Sequence, residues 1–351
     1  METAGPLDRP SLPDWLAVVR PRLAEPLFHP RVVERLLAVT GLLPGDCLGI
    51  LETRLASGDG PVALSIRLSA AAQARFLSDP GGLFSTVRSL WLEFDLDRGA
   101  GGLPEPIPCA KLAAEAGSLW VVDVLLPTLH GGPLAREQRE LWLACQREIS
   151  APGRLLYAFS LRARGSDAIR MEIFGLGTEQ ILAYLGRVAP DTLPQVAQIV
   201  PLFEEVERLH LSFDLSPEGE VLPRVGIEGS FSRLPRREPR WSELFARLEE
   251  RGLCDPGNRE AALAWPGYDS FWTAPERWPV GAQGFCIRSL SHVKVVCVPD
   301  RDPEAKVYLA FGPRSRKELQ ADAGARGGVR SPARRSALAR YFGTRSSLNR
   351  R

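Results

Sequence analysis

Two aspartates stand at matching places in a repeated pattern. Leu90-Trp91-Leu92-Glu93-Phe94-Asp95-Leu96 returns as Leu209-His210-Leu211-Ser212-Phe213-Asp214-Leu215. A Leu-Pro pair (Leu103-Pro104, Leu222-Pro223) begins thirteen residues after the first Leu of each copy. The offset is 119 for both landmarks (209 − 90 and 222 − 103), so no gap is needed. Paired carboxylates can share general acid and base work. These two are far apart in the chain, and pairing with a nearby Arg or capping a turn accounts for each more simply. Asp95 and Asp214 are therefore read as scaffold, and no catalytic residue is assigned.

Further polar side chains fall on two hairpins. Pairing Phe285–Phe311 about a turn at Asp300–Pro303 sets Lys294 opposite Tyr308 and Val296 opposite Lys306. One face then carries Arg288, His292, Lys294, Lys306 and Tyr308; the other carries Val293, Val295, Cys297, Val307, Leu309 and Phe311 and is core. Pairing Leu155–Phe174 about Gly165-Ser166 opposes Arg162 with Arg170 and Ser160 with Glu172, leaving Phe159, Leu161, Met171 and Ile173 as the apolar face. Such basic faces either pair with neighbours such as Glu172 or Asp95, or line a groove for an anionic or peptide-like ligand. Trp265, Trp272, Trp278, Tyr268 and Phe271 crowd one loop. Aromatics at that density mark binding surfaces or pin a loop to the core. The candidate peptide-binding residues are Arg162, Arg170, Arg288, His292, Lys294, Lys306, Tyr308, Trp265 and Trp272.

Other chemistries find little support. The six cysteines are scattered without a C-x-x-C pair and read as buried thiols; the four histidines are dispersed, so no metal site is assigned. Phosphate loops, dinucleotide fingerprints and nucleophile elbows are absent, and no cofactor is expected. The start of the chain lacks a signal-peptide pattern and no apolar run is long enough to span a bilayer, which predicts a cytoplasmic protein with no membrane partner.

The elements that must position these residues follow from periodicity. The repeated stretch alternates strictly, as a half-buried strand does. Hydrophobic content of 44% and charge of 25% suit a globular chain long enough for a sizeable core. Residues 1–56 read as a segment of short helices, with Ser11-x-x-Asp14 as a capping box. Residues 57–207 form a first α+β repeat, including a strand over Ser118–Leu126 and helices over Leu134–Ile149 and Glu179–Leu185. Residues 208–313 form a second, with a helix over Trp241–Arg251. The predicted fold is α+β: internally duplicated, pseudo-two-fold antiparallel sheets flanked by helices. Residues 314–351 read as a basic, disordered tail; from 313 on there are eleven Lys or Arg and two acidic residues. Basic charge alone attracts anions of any kind, so nucleic acid is not counted among the partners.

The Phe-Asp-Leu…Leu-Pro segments, Gly252-Leu253-Cys254, Ala264-Trp265-Pro266-Gly267, His292-Val293-Lys294 and Ala305-Lys306-Val307-Tyr308-Leu309 carry a resemblance over roughly residues 50–313. They resemble the peptide-binding accessory proteins of crocagin-type biosynthesis, in bacterial clusters that make ribosomally synthesised, modified peptides. The resemblance implies a non-catalytic protein that grips a precursor peptide and assists partner enzymes of the same pathway in pyrroloindoline-type maturation. The alternative is a prenyltransferase-like enzyme acting on an aromatic or peptide substrate: Lys294, Lys306 and Tyr308, with Arg162 and Arg170, resemble the alternating strand positions that aromatic and peptide prenyltransferase barrels place around a diphosphate. Against it, ten antiparallel strands in repeated αββα units are hard to find in the sequence.

Overall fold

The computed structural model describes residues 11–41, 43, 48–56, 62–77, 85–96, 103–279, 282 and 284–314. The chain divides into two units, Met1–Pro313 and Arg314–Arg351, and the first contains the fold. The predicted basic tail lies outside the described residues from 315 on.

Strand β1 (Leu48–Arg54) and β2 (Ala63–Arg67) form the first of five hairpins. They are followed by β3 (Val87–Asp95) with β4 (Ile107–Leu112), β5 (Arg154–Ser160) with β6 (Ile169–Phe174), and β7 (Arg208–Leu215) with β8 (Val221–Ser230). A short β9 (Gly267–Asp269) precedes β10 (Phe285–Cys297) and β11 (Glu304–Arg314). Each hairpin pairs with the next, β8 pairs with β10, and β11 pairs with both β10 and β1, so ten strands close into one antiparallel barrel. Among the described strands, only β9 stands outside the closed round, on the first part of β10.

Helices occupy the connections between hairpins. Helices α1 (Leu12–Val19) and α2 (Pro30–Thr40) precede β1, and α3 (Ala70–Phe76) links β2 to β3. Between β4 and β5, α4 (Ser118–Trp120), a π-helical stretch (Val121–Leu125) and α5 (Leu126–His130) run on into one another before α6 (Arg136–Arg147). Helices α7 (Thr178–Val188) and α8 (Leu193–Ile199) join β6 to β7, and α9 (Arg240–Glu250) and α10 (Pro256–Ala264) join β8 to β10. Local chemistry sets several starts. Ser11 and Asp14 exchange the two bonds of a capping box. Ser69 Oγ accepts from the Ala72 amide.

The main core lies between the sheet and these helices. Outward residues of the strands, such as Leu51, Leu64, Phe94, Met171, Phe213, Ile227, Val293 and Phe311, pack there with Trp15, Leu16, Trp142, Tyr184, Trp241 and Phe245. A smaller cluster of Ile107, Cys109, Phe159, Leu161 and Ala168 sits apart from it. By register, Cys109 and Phe159 share a face with Arg170, so this cluster lies inside the barrel.

Several expectations are corrected. The α+β class holds, but the two halves form a single closed sheet. The 119-residue offset carries β3 onto β7, two hairpins around a ring of five, so it is not a two-fold of the barrel. Residues 48–54, read as helical, are the strand that closes the ring. Residues 118–126, read as a strand, are helical. A short apolar run buried on most sides satisfies either period, and here the turn ends on Gly131 with φ 73°, a left-handed helix cap.

Candidate active site

Alternation decides which side chains enter the barrel. On β11 the residues that alternate with the core residues Val307 and Leu309 turn inward, which places Lys306 and Tyr308 there; β1 sets Glu52 opposite Tyr308. On β6, Arg170 and Glu172 face in, beside Asp214 and Ser212 of β7. On β8, Arg224, Gly226 and Glu228 alternate with the core residues Val225 and Ile227. Lys294 of β10 lies opposite Glu228.

The interior cations are mostly matched by carboxylates. Lys294 Nζ is 2.6 Å from Glu228 Oε1, and Lys306 Nζ is 2.6 Å from Glu52 Oε1. Arg170 makes a two-pronged pair with Asp214 at 2.6 and 3.0 Å. Arg164 bridges Glu93 and Asp95. His210 Nδ1 meets Glu172 Oε1 at 2.6 Å, and the His292 ring stacks on Tyr308 with centroids 3.9 Å apart.

Burial and partners displace the acidities in opposite directions. Burial pushes Glu52 and Glu228 up, but Lys306 and Lys294 outweigh it; Glu52 is held well below the usual range and Glu228 at about 2. Glu172 goes the other way, raised by burial and by the negative Glu228. His292 falls to about 4 because burial disfavours its charged form. His210 is raised, its bond to Glu172 overcoming burial. Glu172, His210 and Glu228 offer ligand atoms within 4.8 Å of one another, and the two carboxylates are already engaged, Glu172 by His210 and Glu228 by Lys294.

Arg224 is different. Among the described residues it has no hydrogen-bond or ion-pair partner, although it is half-buried among Arg170, Arg164 and Asp214. Burial and the neighbouring arginines lower its pKa.

The barrel gathers Arg170, His292, Lys294, Lys306 and Tyr308 from the predicted set and leaves out the rest. Arg162 lies in a short turn after β5, bonded to the His130 carbonyl at 2.9 Å. The actual register pairs Phe159 with Arg170 and Tyr157 with Glu172, an odd shift from the predicted pairing, so Phe159 and Leu161 turn inward. Arg288 points to the helical side, bonding Asp269 and the Trp265 carbonyl. Leu290 and Val293 both face the core three residues apart, so the alternation slips between them. Trp265 is buried and donates to the Ala310 carbonyl, while Trp272 is 85% exposed on the outer surface. Glu52, Arg224 and Glu228 were missed; the alternation around Glu228 was readable, but its partner was not.

No protein-family model and no curated protein matches the chain. Among solved structures it is similar to AnaPT from Neosartorya fischeri, at 11% identity and a TM-score of 0.50, covering 85% of this chain and 91% of that one. It is also similar to PriB in a binary complex with product diphosphate (13%, 0.48, 86% and 96%). A third is 5-dimethylallyl tryptophan synthase from Streptomyces coelicolor with DMASPP and Trp (12%, 0.47, 93% and 98%). The likeness to AnaPT is one of fold, the closed barrel of aromatic prenyltransferases. It corrects the expectation of a non-catalytic peptide-binding accessory protein, because the ten-stranded barrel whose apparent absence counted against the alternative is present.

Proposed function

We propose that this barrel is a prenyltransferase-type enzyme that moves a prenyl group from an allylic diphosphate to an aromatic ring, free or within a peptide. Arg224 carries the reading. A guanidinium held among Arg164 and Arg170 without a carboxylate of its own is a ready site for an anionic group. In the reaction the allylic C–O bond breaks and its electron pair leaves with diphosphate, whose charge the cation stabilises. Ring electrons form the new bond to carbon, and the ring proton passes to a carboxylate. Glu172, with its acidity weakened by burial and Glu228, suits that task best.

No helix among the described residues is long and apolar enough to cross a membrane. A cytoplasmic setting, in which the five described cysteines stay free, belongs to the same proposal. The test is incubation with dimethylallyl diphosphate and tryptophan or tryptophan-containing peptides. A mass gain of one prenyl group with matching diphosphate release is expected. Neither signal with any allylic diphosphate overturns the reading.

A further inference from the structure

The two ends of the barrel differ in how their charges are matched. At the hairpin end Arg164, Arg170 and Lys306 have carboxylate partners, and Arg224 is the one barrel cation there without a partner among the described residues. At the end where the helices cross over lie Arg67 on β2, Arg88 at the start of β3, Lys111 on β4, Arg154 on β5 and Arg208 on β7. None of these five has a carboxylate partner among the described residues. They feel one another, since Lys111 is lowered by burial and, further, by Arg154, Arg208 and Arg88, against the pull of Glu172. Register confirms the shared rim. Arg67 lies opposite Trp91, Lys111 opposite Tyr157 and Arg154 opposite Phe174. Lys111 sits over the Tyr157 ring at 5.4 Å and Arg154 over the Phe174 ring at 5.3 Å.

The shape of this collar restricts its ligand. From β2 to β7 is five strand-to-strand steps, an arc of roughly 24 Å. A single phosphate or diphosphate cannot reach along it. An extended chain with an acidic side chain at every second residue places charges about 6.7 Å apart and can. The rings of Tyr157 and Phe174 are already covered by Lys111 and Arg154, which leaves them poor platforms for stacked bases and favours carboxylates over a nucleic acid.

We propose that the crossover mouth, through Arg67, Arg88, Lys111, Arg154 and Arg208, binds an acidic extended peptide, and, resting on the prenyltransferase reading, that this peptide carries the aromatic acceptor into the barrel. A fluorescein-labelled oligoglutamate containing one Trp tests binding alone, by anisotropy without any prenyl donor. Saturable binding that weakens roughly tenfold from low to physiological salt is expected. Each single change among R67Q, K111Q, R154Q and R208Q costs roughly threefold, and R139Q, distant from the mouth, costs nothing. R67Q and R208Q alter exposed side chains, so they serve if K111Q or R154Q does not fold. No saturable binding, equal binding by all variants, or tighter binding of a single-stranded oligonucleotide overturns the proposal. In turnover, collar variants raise KM for the peptide and leave kcat, and the rate on free tryptophan, unchanged. Peptide binding without prenyl transfer sinks the catalytic reading alone; transfer to tryptophan without peptide binding sinks the collar alone.

Discussion

Lys294 and Glu228 face each other across adjacent strands inside the barrel, 2.6 Å apart, with less than a tenth of either side chain exposed. Two charges so far from water hold each other in place: removing one strands the other, while removing both does not.

Glu228→Gln or Lys294→Met therefore costs about 3–5 kcal/mol in denaturant unfolding, and a Lys294→Met/Glu228→Leu double variant is near neutral or more stable. Two small single-variant losses that simply add would show that the pair is not coupled.

Gly226 belongs to the same arrangement. A Cβ there would lie 2.4 Å from Lys294 Cε and 2.6 Å from Ser212 Oγ. Gly226→Ala pushes the lysine off Glu228 and lowers stability by about 1–3 kcal/mol, read from the denaturation midpoint. An unchanged midpoint would mean that Lys294 has room to move.

Acid acts on His292 with a definite sign. Its folded pKa is about 4 against an ordinary 6.5, so between those values the unfolded chain binds more protons. Stability from this residue is lost as pH falls from 6.5 towards 4. His210, raised by Glu172, contributes in the opposite sense, so the comparison is between the protein and its His292→Asn variant. Between pH 6.5 and 4 the variant loses less stability on acidification than the protein does; parallel profiles would contradict the assignment.

Arg224 separates stability from activity. Arg224→Gln leaves unfolding unchanged or slightly improved, since no partner loses its bond. Prenyl transfer falls roughly 10²–10³-fold, as for loss of one preorganised charge donor. A variant with full turnover would remove Arg224 from the site.

The two tryptophans of the aromatic loop part company. Trp265→Ala costs about 3–5 kcal/mol because a buried ring is lost. Trp272→Ala, at an exposed position, changes stability by less than about 0.5 kcal/mol in the same thermal or denaturant measurement.

Much of the local structure was legible. The alternation of Leu90–Leu96 and Leu209–Leu215, the turn at Gly165-Ser166, the capping box at Ser11 and the inward face of Lys294, Lys306 and Tyr308 each depend on residues near one another in sequence. The hairpin 155–174 shows the limit, because a slip of odd length reverses every side chain and nothing in the turn prevented that misreading.

What the sequence by itself determined is therefore a set of hairpins with one apolar and one polar face, separated by amphipathic helices. A strand alternates with period two whether its sheet is open or closed, so the pattern is silent about closure. Only the tertiary structure brought β1 against β11, and with it Glu52 within 2.6 Å of Lys306, 254 residues away. That closure turned polar faces, which in an open sheet would meet water, into a ring of charges that must find partners in one another.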